Sequence, residues 1–102
     1  MAVRAINIEK YVDEILDQSV DFEDVLADGE SVSSGAVKIK DSTDTDVTST
    51  LAPAGGSSSG TSVEYRLAAA GTAGMTYSVY ALATLNTGEV LGQRFRMTLS
   101  KP

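Results

Sequence analysis

The sequence predicts an all-β fold, in which about seven short strands form a single two-layer sandwich with one short helical turn and an N-terminal arm. Apolar and β-branched residues alternate over residues 73–84, and an Asn-Thr-Gly turn follows at residues 86–88, as expected for a long central strand. Gly74 and Tyr77 stand at the start of that strand as Gly-x-x-Tyr, a position where sandwiches often have a tyrosine corner. These features together are typical of an immunoglobulin- or fibronectin-III-like β-sandwich.

The length and the amino-acid composition of the chain limit the functions that it can have. A chain of 102 residues provides one modest core, so we expect an N-terminal arm or edge strand at residues 1–10 and the sandwich at residues 11–102. There is neither cysteine nor histidine, which removes thiolate and imidazole ligands and the commonest general base. We therefore predict no catalytic residue, no metal site, no cofactor and no enzymatic activity.

The net charge and the hydropathy of the sequence both argue against particular classes of partner. The formal net charge of −6 argues against nucleic acid, because phosphate binding needs a concentrated basic face. No apolar run approaches the roughly 20 residues that a membrane-spanning helix requires. We expect a soluble protein, made in the cytoplasm, without a membrane or nucleic-acid partner.

The remaining elements follow from alternation and turn residues. Asp21 is placed to cap a helical turn that runs through Leu26 and stops at Gly29. The Gly- and Ser-rich residues 54–61 predict a flexible loop. Strands are predicted at residues 15–20, 31–40, 47–51, 63–67, 75–85 and 90–99. The hairpin formed by the last two strands completes the sandwich.

Tyr77 is predicted to be a structural residue. In a tyrosine corner the ring is buried and the hydroxyl bonds to the backbone a few residues upstream, here within residues 68–74. Gly74 belongs to the same structural corner.

Two groups of residues are predicted to form interfaces. Val3, Ile6 and Ile8 alternate weakly along the N-terminal arm, and arms of this kind often become ordered on a partner. Arg94 and Arg96 point outward from the last strand.

Acidic residues are concentrated near the N-terminus, where nine of the fourteen fall between Glu9 and Glu30. They can act as solvated or capping residues, contact a basic partner, or bind Ca²⁺. The basic final strand suggests that the acidic edge of one copy faces the basic edge of the next in a ring.

Residues 56–60 satisfy the G-x-S-x-G pattern of hydrolases. That motif requires a preceding strand, a following helix and a histidine base, so a loop is the better interpretation.

Four segments have a distinctive sequence: residues 14–22, Leu26-x-x-Gly29-Glu30, Ala73-Gly74-x-x-Tyr77-x-Val79 and Arg94-Phe95-Arg96-Met97. Together they resemble small virion proteins of tailed bacteriophages, in which D-E-x-L-D-Y-S-I-D-W precedes W-L-x-x-G-D and an immunoglobulin-like hairpin ends the chain. The resemblance covers residues 10–99.

The chain also departs from that pattern. Gln18 stands where an aromatic residue is common, Phe22 and Val25 stand where Trp is common, and Tyr11 replaces a Pro.

The resemblance implies a virion structural protein that acts as a fiber-tail adaptor, joining tail, fiber or neck components. It implies virion proteins as partners. From the separation of acidic and basic edges we also expect several copies in the particle and a monomer in isolation, since each contact between copies would be weak. The alternative is a fibronectin-like adhesion or carbohydrate-binding module, which exposed aromatic residues would favour.

Overall fold

The computed structural model describes residues 6–102 and shows a β-sandwich of seven strands in two sheets. The strands are β1 (Ile6–Tyr11), β2 (Leu16–Asp21), β3 (Val32–Lys40), β4 (Gly56–Ser59), β5 (Ser62–Leu67), β6 (Thr76–Leu85) and β7 (Val90–Ser100). A 3-10 turn at Glu23–Val25 and a short helix, α1, at Thr48–Leu51 complete the fold. The predicted all-β sandwich is confirmed. None of the helices in this part of the chain has the length and apolar character to cross a membrane.

The strand order is that of an immunoglobulin sandwich with one change. The larger sheet has the order β1-β7-β6-β3 and the smaller sheet the order β2-β5-β4. Constant-type immunoglobulin domains place strands C, F and G in one sheet and A, B, E and D in the other. Here β3, β6 and β7 match C, F and G, and β2, β5 and β4 match B, E and D. The first strand, β1, pairs in parallel with β7 instead of joining β2.

The core lies between the two sheets because apolar residues alternate along the strands. Every second residue of β6, from Tyr77 to Leu85, is buried, and the residues between them face outward. Core residues from the other strands include Ile39, Val63, Leu67, Phe95, Met97 and Leu99. Phe22, just after β2, is 2% exposed and extends this core.

The predicted flexible loop at residues 54–61 is wrong, because Gly56 to Ser59 form β4 and pair with β5. A Cβ atom on Gly56 would lie 2.7 Å from the backbone of Ala36 in β3, which belongs to the other sheet. A Cβ atom on Gly35 would lie 2.5 Å from the carbonyl oxygen of Ser57. Glycine is needed here because two backbones meet where the sheets come together.

The predicted strand at residues 47–51 is also wrong, because helix α1 occupies most of it. The Asp46 carboxylate accepts hydrogen bonds from the Thr48 backbone N–H at 2.9 Å and from the Thr48 hydroxyl at 2.7 Å. Such side-chain bonds favour a turn over an extended strand. Leu51 still reaches the core, where it is 2% exposed.

The predicted helical turn after β2 is present but shorter than expected. The Asp21 carboxylate accepts the backbone N–H of Glu23, two residues on and not three. The backbone is already extended at Leu26, and Gly29 has a positive φ of 84°.

Candidate docking face on the four-stranded sheet

Two rows of polar residues cross the outer face of the larger sheet. In one row Lys38 on β3 pairs with Tyr80 on β6, which pairs with Arg94 on β7. The next row runs in the same way through Lys40, Ser78 and Arg96. We call this surface the basic face. Its members are Lys38, Lys40, Ser78, Tyr80, Arg94 and Arg96.

Strand alternation places these cations together. Ile39 of β3 and Phe95 of β7 are buried, so the residues beside them in sequence face solvent. Because β6 lies between β3 and β7, the two strands that carry the cations are only about 10 Å apart, twice the usual strand spacing. The order of the strands, more than the sequence of any one of them, creates the basic face.

The basic face differs in charge from the rest of the molecule. The chain has a net charge of −6, yet this face carries four of its eight Lys and Arg residues. Lys40 lies 3.4 Å from the Asp44 carboxylate, and Arg94 donates a long hydrogen bond of 3.5 Å to the Ser78 hydroxyl. The ion pairs of residues 6–102 include none with Lys38, Arg94 or Arg96. Their charge is therefore available to a partner.

A groove of about 540 Å³ lies at one side of the basic face. It is lined by Asp41, Ser42, Asp44, Thr76, Ser78, Tyr80, Arg94 and Arg96. The Asp41 carboxylate accepts bonds from the Thr43 hydroxyl, the Thr45 backbone N–H and the Thr43 backbone N–H, which lower the pKa of Asp41. The groove thus combines a basic floor with an acidic rim, and the rim disfavours a polyphosphate ligand.

The predicted arm residues lie in different surroundings. Val3 is outside the described residues. Ile6 begins β1 and pairs with Phe95 through the backbone. Ile8 pairs with Met97 and is partly buried against the core. From Ile6 onward the N-terminal segment is thus the edge strand β1.

Tyr77 has the geometry of a tyrosine corner. It is 4% exposed, and its hydroxyl oxygen accepts the backbone N–H of Thr72 at 3.1 Å. Gly74 has a φ of 85° and donates its backbone N–H to the carbonyl of Leu99 at 2.8 Å. By contrast, the hydroxyl of Tyr65 is buried without a hydrogen-bond partner among residues 6–102, and burial raises the pKa of Tyr65 to about 12.

Some of the acidic side chains near the N-terminus bond to the backbone of turns. Glu14 accepts the backbone N–H of Tyr11 and Glu30 that of Ala27, each at 2.7 Å. Asp17 lies across from Arg66, whose hydrogen bond lowers the pKa of Asp17. Within residues 6–102, no three acidic side chains are grouped as a metal site would require.

The structure also provides evidence on two alternative functions, a hydrolase and a carbohydrate-binding module. The G-x-S-x-G residues lie in β4 and the turn after it, and β5 follows in place of the helix that a nucleophile elbow needs. Of the six aromatic residues, only Tyr11 is exposed, at 48%, while Tyr80 is half-buried and the others are buried. An exposed aromatic platform for sugar binding is therefore absent from the described residues.

Sequence reasoning found Arg94 and Arg96 but did not connect them with Lys38, Lys40 and Tyr80. Alternation alone places all five on outward faces. The additional signal was the C-F-G order of an immunoglobulin sandwich, which puts β6 between β3 and β7.

Comparison with known families found a match over residues 10–98, to the model of Gp77, described as "Podophage GP4 fiber-tail adaptor protein gp77". The match includes all of β2 to β6 and most of β7. None of the curated proteins compared with the chain matches it.

Proposed function

Because the chain belongs to the family of podophage GP4 fiber-tail adaptor proteins, we propose that it joins tail, fiber or neck components as the phage particle assembles. The family supports a structural adaptor role, and therefore a non-enzymatic protein located in the virion. We further propose that the basic face is where one neighbouring virion protein docks.

The observation that carries this proposal is a cluster of four cations on a protein of net charge −6, of which Lys38, Arg94 and Arg96 have no ion pair within residues 6–102. Four cations on one rigid sheet face fit a neighbour that presents carboxylates. Complementary charge of this kind sets orientation and association rate more than affinity. The half-buried Tyr80, between Lys38 and Arg94, adds apolar contact area at the centre of the face.

Each ion pair on an exposed protein surface contributes little binding free energy. We expect the isolated protein to be monomeric and to be held in the particle by several contacts at once. Several copies in the particle would multiply these contacts.

The test reverses the charge of the basic face. Arg94→Glu with Arg96→Glu should unfold at the wild-type temperature, since both side chains are exposed, but should enter particles poorly. The charge-preserving pair Arg94→Lys with Arg96→Lys should be incorporated normally. Arg94→Glu alone and Lys101→Glu, a charge reversal elsewhere on the surface, change the net charge by the same amount, so their comparison controls for net charge.

Two measurements decide the outcome. Thermal unfolding of each purified variant reports the fold, and complementation of a phage lacking the protein, with quantification of the protein in purified particles, reports assembly. Normal incorporation of the folded Glu variant would contradict docking at the basic face. Sedimentation of the wild-type protein as an oligomer that the Glu variant cannot form would identify a second copy as the neighbour.

A further inference from the structure

Strand β2 forms one edge of the smaller sheet. In the immunoglobulin order, strand A would pair with this edge, but here β1 pairs with β7 in the other sheet. Among residues 6–102, β2 pairs only with β5. One side of β2 therefore faces away from the rest of its sheet.

The ladder between β2 and β5 identifies which backbone groups lie on that side. Phe22, directly after β2, donates its backbone N–H to the Thr61 carbonyl at 2.9 Å. Bonding alternates along an antiparallel pair, so the even-numbered residues of β2 bond to β5. The N–H and C=O groups of Asp17, Ser19 and Asp21 then point to the open side. They make no backbone bond to a described residue outside the β2–β5 ladder.

Two of the other edges are protected by features of their own. Lys10 of β1 points inward and is only 3% exposed, with its ammonium group donating to the Tyr11 carbonyl at 2.9 Å. An inward-pointing charge is a known protection of edge strands. Strand β4 is only four residues long, and its Gly56 lies against the backbone of Ala36.

The edge of β3 is covered at Ile39, near its C-terminal end, by the chain that follows it. Val47 donates its backbone N–H to the Ile39 carbonyl, and the Thr48 hydroxyl accepts the Ile39 N–H, both at 2.8 Å. Strand β2, in contrast, has no Lys, no Pro and no shift in register. It is therefore the least protected edge among the described strands.

The side chains of β2 indicate what could pair with it. Asp17 and Asp21 point outward, and Asp17 already accepts Arg66 from β5 at 2.6 Å on its paired side. Leu16 and Gln18 point inward and are only half-buried. An added strand would complement both faces if basic residues pointed outward and apolar residues inward.

A second copy of β2 is a poor occupant. If two β2 strands paired in antiparallel fashion about Ser19, Asp17 of one copy would lie opposite Asp21 of the other. Like charges directly opposite each other destabilise a strand pair. That register therefore disfavours self-pairing, and the acidic edge favours a basic strand.

We propose that the edge of β2 binds an extended segment of a neighbouring virion protein, with alternating basic and apolar residues, as a fourth strand of the smaller sheet. The inference rests on the proposed function only for the identity of the occupant as a virion protein. It concerns a different sheet from the basic face and a partner segment of opposite charge.

The first test uses a capped seven-residue peptide in which lysine and valine alternate. At saturation, amide hydrogen exchange measured by NMR should slow by about tenfold or more at Asp17, Ser19 and Asp21, because the added strand protects these groups. A glutamate–valine peptide should not bind. A lysine–valine peptide with N-methyl groups on the backbone nitrogens that face β2 keeps its side chains but cannot donate the ladder bonds, and it should also fail.

Variants of Ser19 give the matched control in the protein. Ser19→Pro removes an N–H that points away from β5, so the existing ladder should survive while strand addition is blocked. Ser19→Ala removes only the hydroxyl and should bind like the wild type. If Ser19→Pro does not fold, the N-methylated peptide still decides the question.

The results separate this inference from the proposed function. Absence of protection with millimolar lysine–valine peptide, or equal binding of its N-methylated form, would overturn the strand-addition site. If the peptide binds but folded Ser19→Pro enters particles as efficiently as Ser19→Ala, the proposal that a virion protein occupies the β2 edge is wrong. Normal assembly of the Arg94 and Arg96 reversal together with failure of Ser19→Pro would reject the basic face and support the β2 edge.

Discussion

Tyr65 and Tyr77 allow the tyrosine corner to be tested with matched substitutions. Both are core residues, at 5% and 4% exposure, and either one loses a single hydroxyl on replacement by Phe. The Tyr77 hydroxyl accepts the Thr72 backbone N–H at 3.1 Å, whereas the Tyr65 hydroxyl is buried without a partner. The two substitutions therefore differ in the hydrogen bond and little else.

The expected effects have opposite signs. Tyr77→Phe leaves the Thr72 N–H without its acceptor, and because Thr72 is exposed, water offsets part of the loss. We expect a decrease of about 1–2 kcal/mol in the free energy of unfolding. Tyr65→Phe removes a polar group that was buried without compensation, so stability should stay the same or rise by up to about 1 kcal/mol.

Denaturant unfolding followed by circular dichroism gives both values, and equal m-values would show that the unfolding transition is the same. In thermal unfolding, Tyr77→Phe should lower Tm by roughly 4–16 °C, given about 4–8 °C per kcal/mol for a domain of this size. Equal destabilisation by the two substitutions would mean that the ring surroundings, and not the Thr72 bond, account for the role of Tyr77. A larger loss for Tyr65→Phe would refute the hydrogen-bond assignment altogether.

Two further predictions concern stability. Burial raises the pKa of Tyr65 from 10.0 to about 12, so the folded state favours the neutral hydroxyl. The stability that depends on this neutral form is fully present below pH 10 and is lost as the pH rises towards 12. Tyr65→Phe should therefore lose less stability than the wild type over that range in alkaline unfolding, and parallel curves would contradict the pKa. Gly56→Ala should cost about 1–3 kcal/mol because its Cβ meets the Ala36 backbone. Gly92→Ala, whose Cβ would lie 3.1 Å from the flexible end of Leu82 and in ordinary contact with the Ala81 carbonyl oxygen, should cost clearly less. Equal unfolding midpoints would show that β4 can move away.

Much of the fold could be predicted because strand burial has a local period of two. The alternation of Val63, Tyr65 and Leu67 is sufficient to define β5, and that of Phe95, Met97 and Leu99 defines the second half of β7. The tyrosine at position 77 then indicated the sandwich class before any pairing was known.

The errors arose where long-range contacts decide the local structure. Residues 56–59 have the composition of a flexible linker, but glycine at position 56 is required for the approach of β4 to β3. Residues 47–51 alternate like a strand, yet Asp46 bonds to Thr48 and turns the chain into α1. Composition and periodicity contain no information on either contact.

The candidate site was predictable only in part for a similar reason. Outward positions such as Arg94 and Arg96 follow from the sequence of β7 alone. Their proximity to Lys38 and Lys40 depends on strand order, as does the open side of β2. Both surfaces arise from the topology of the sandwich.

The two proposed surfaces also explain how a small domain could hold different neighbours without exchanging them. The basic face lies on the outer side of the larger sheet, and the β2 edge belongs to the smaller sheet, so the two surfaces share no residue. A lysine- or arginine-rich segment that fits beside Asp17 and Asp21 is repelled by Arg94 and Arg96. An acidic surface that fits the basic face is likewise repelled at the β2 edge. Specificity then comes from repulsion at the wrong site as well as attraction at the right one, as the proposed adaptor role requires.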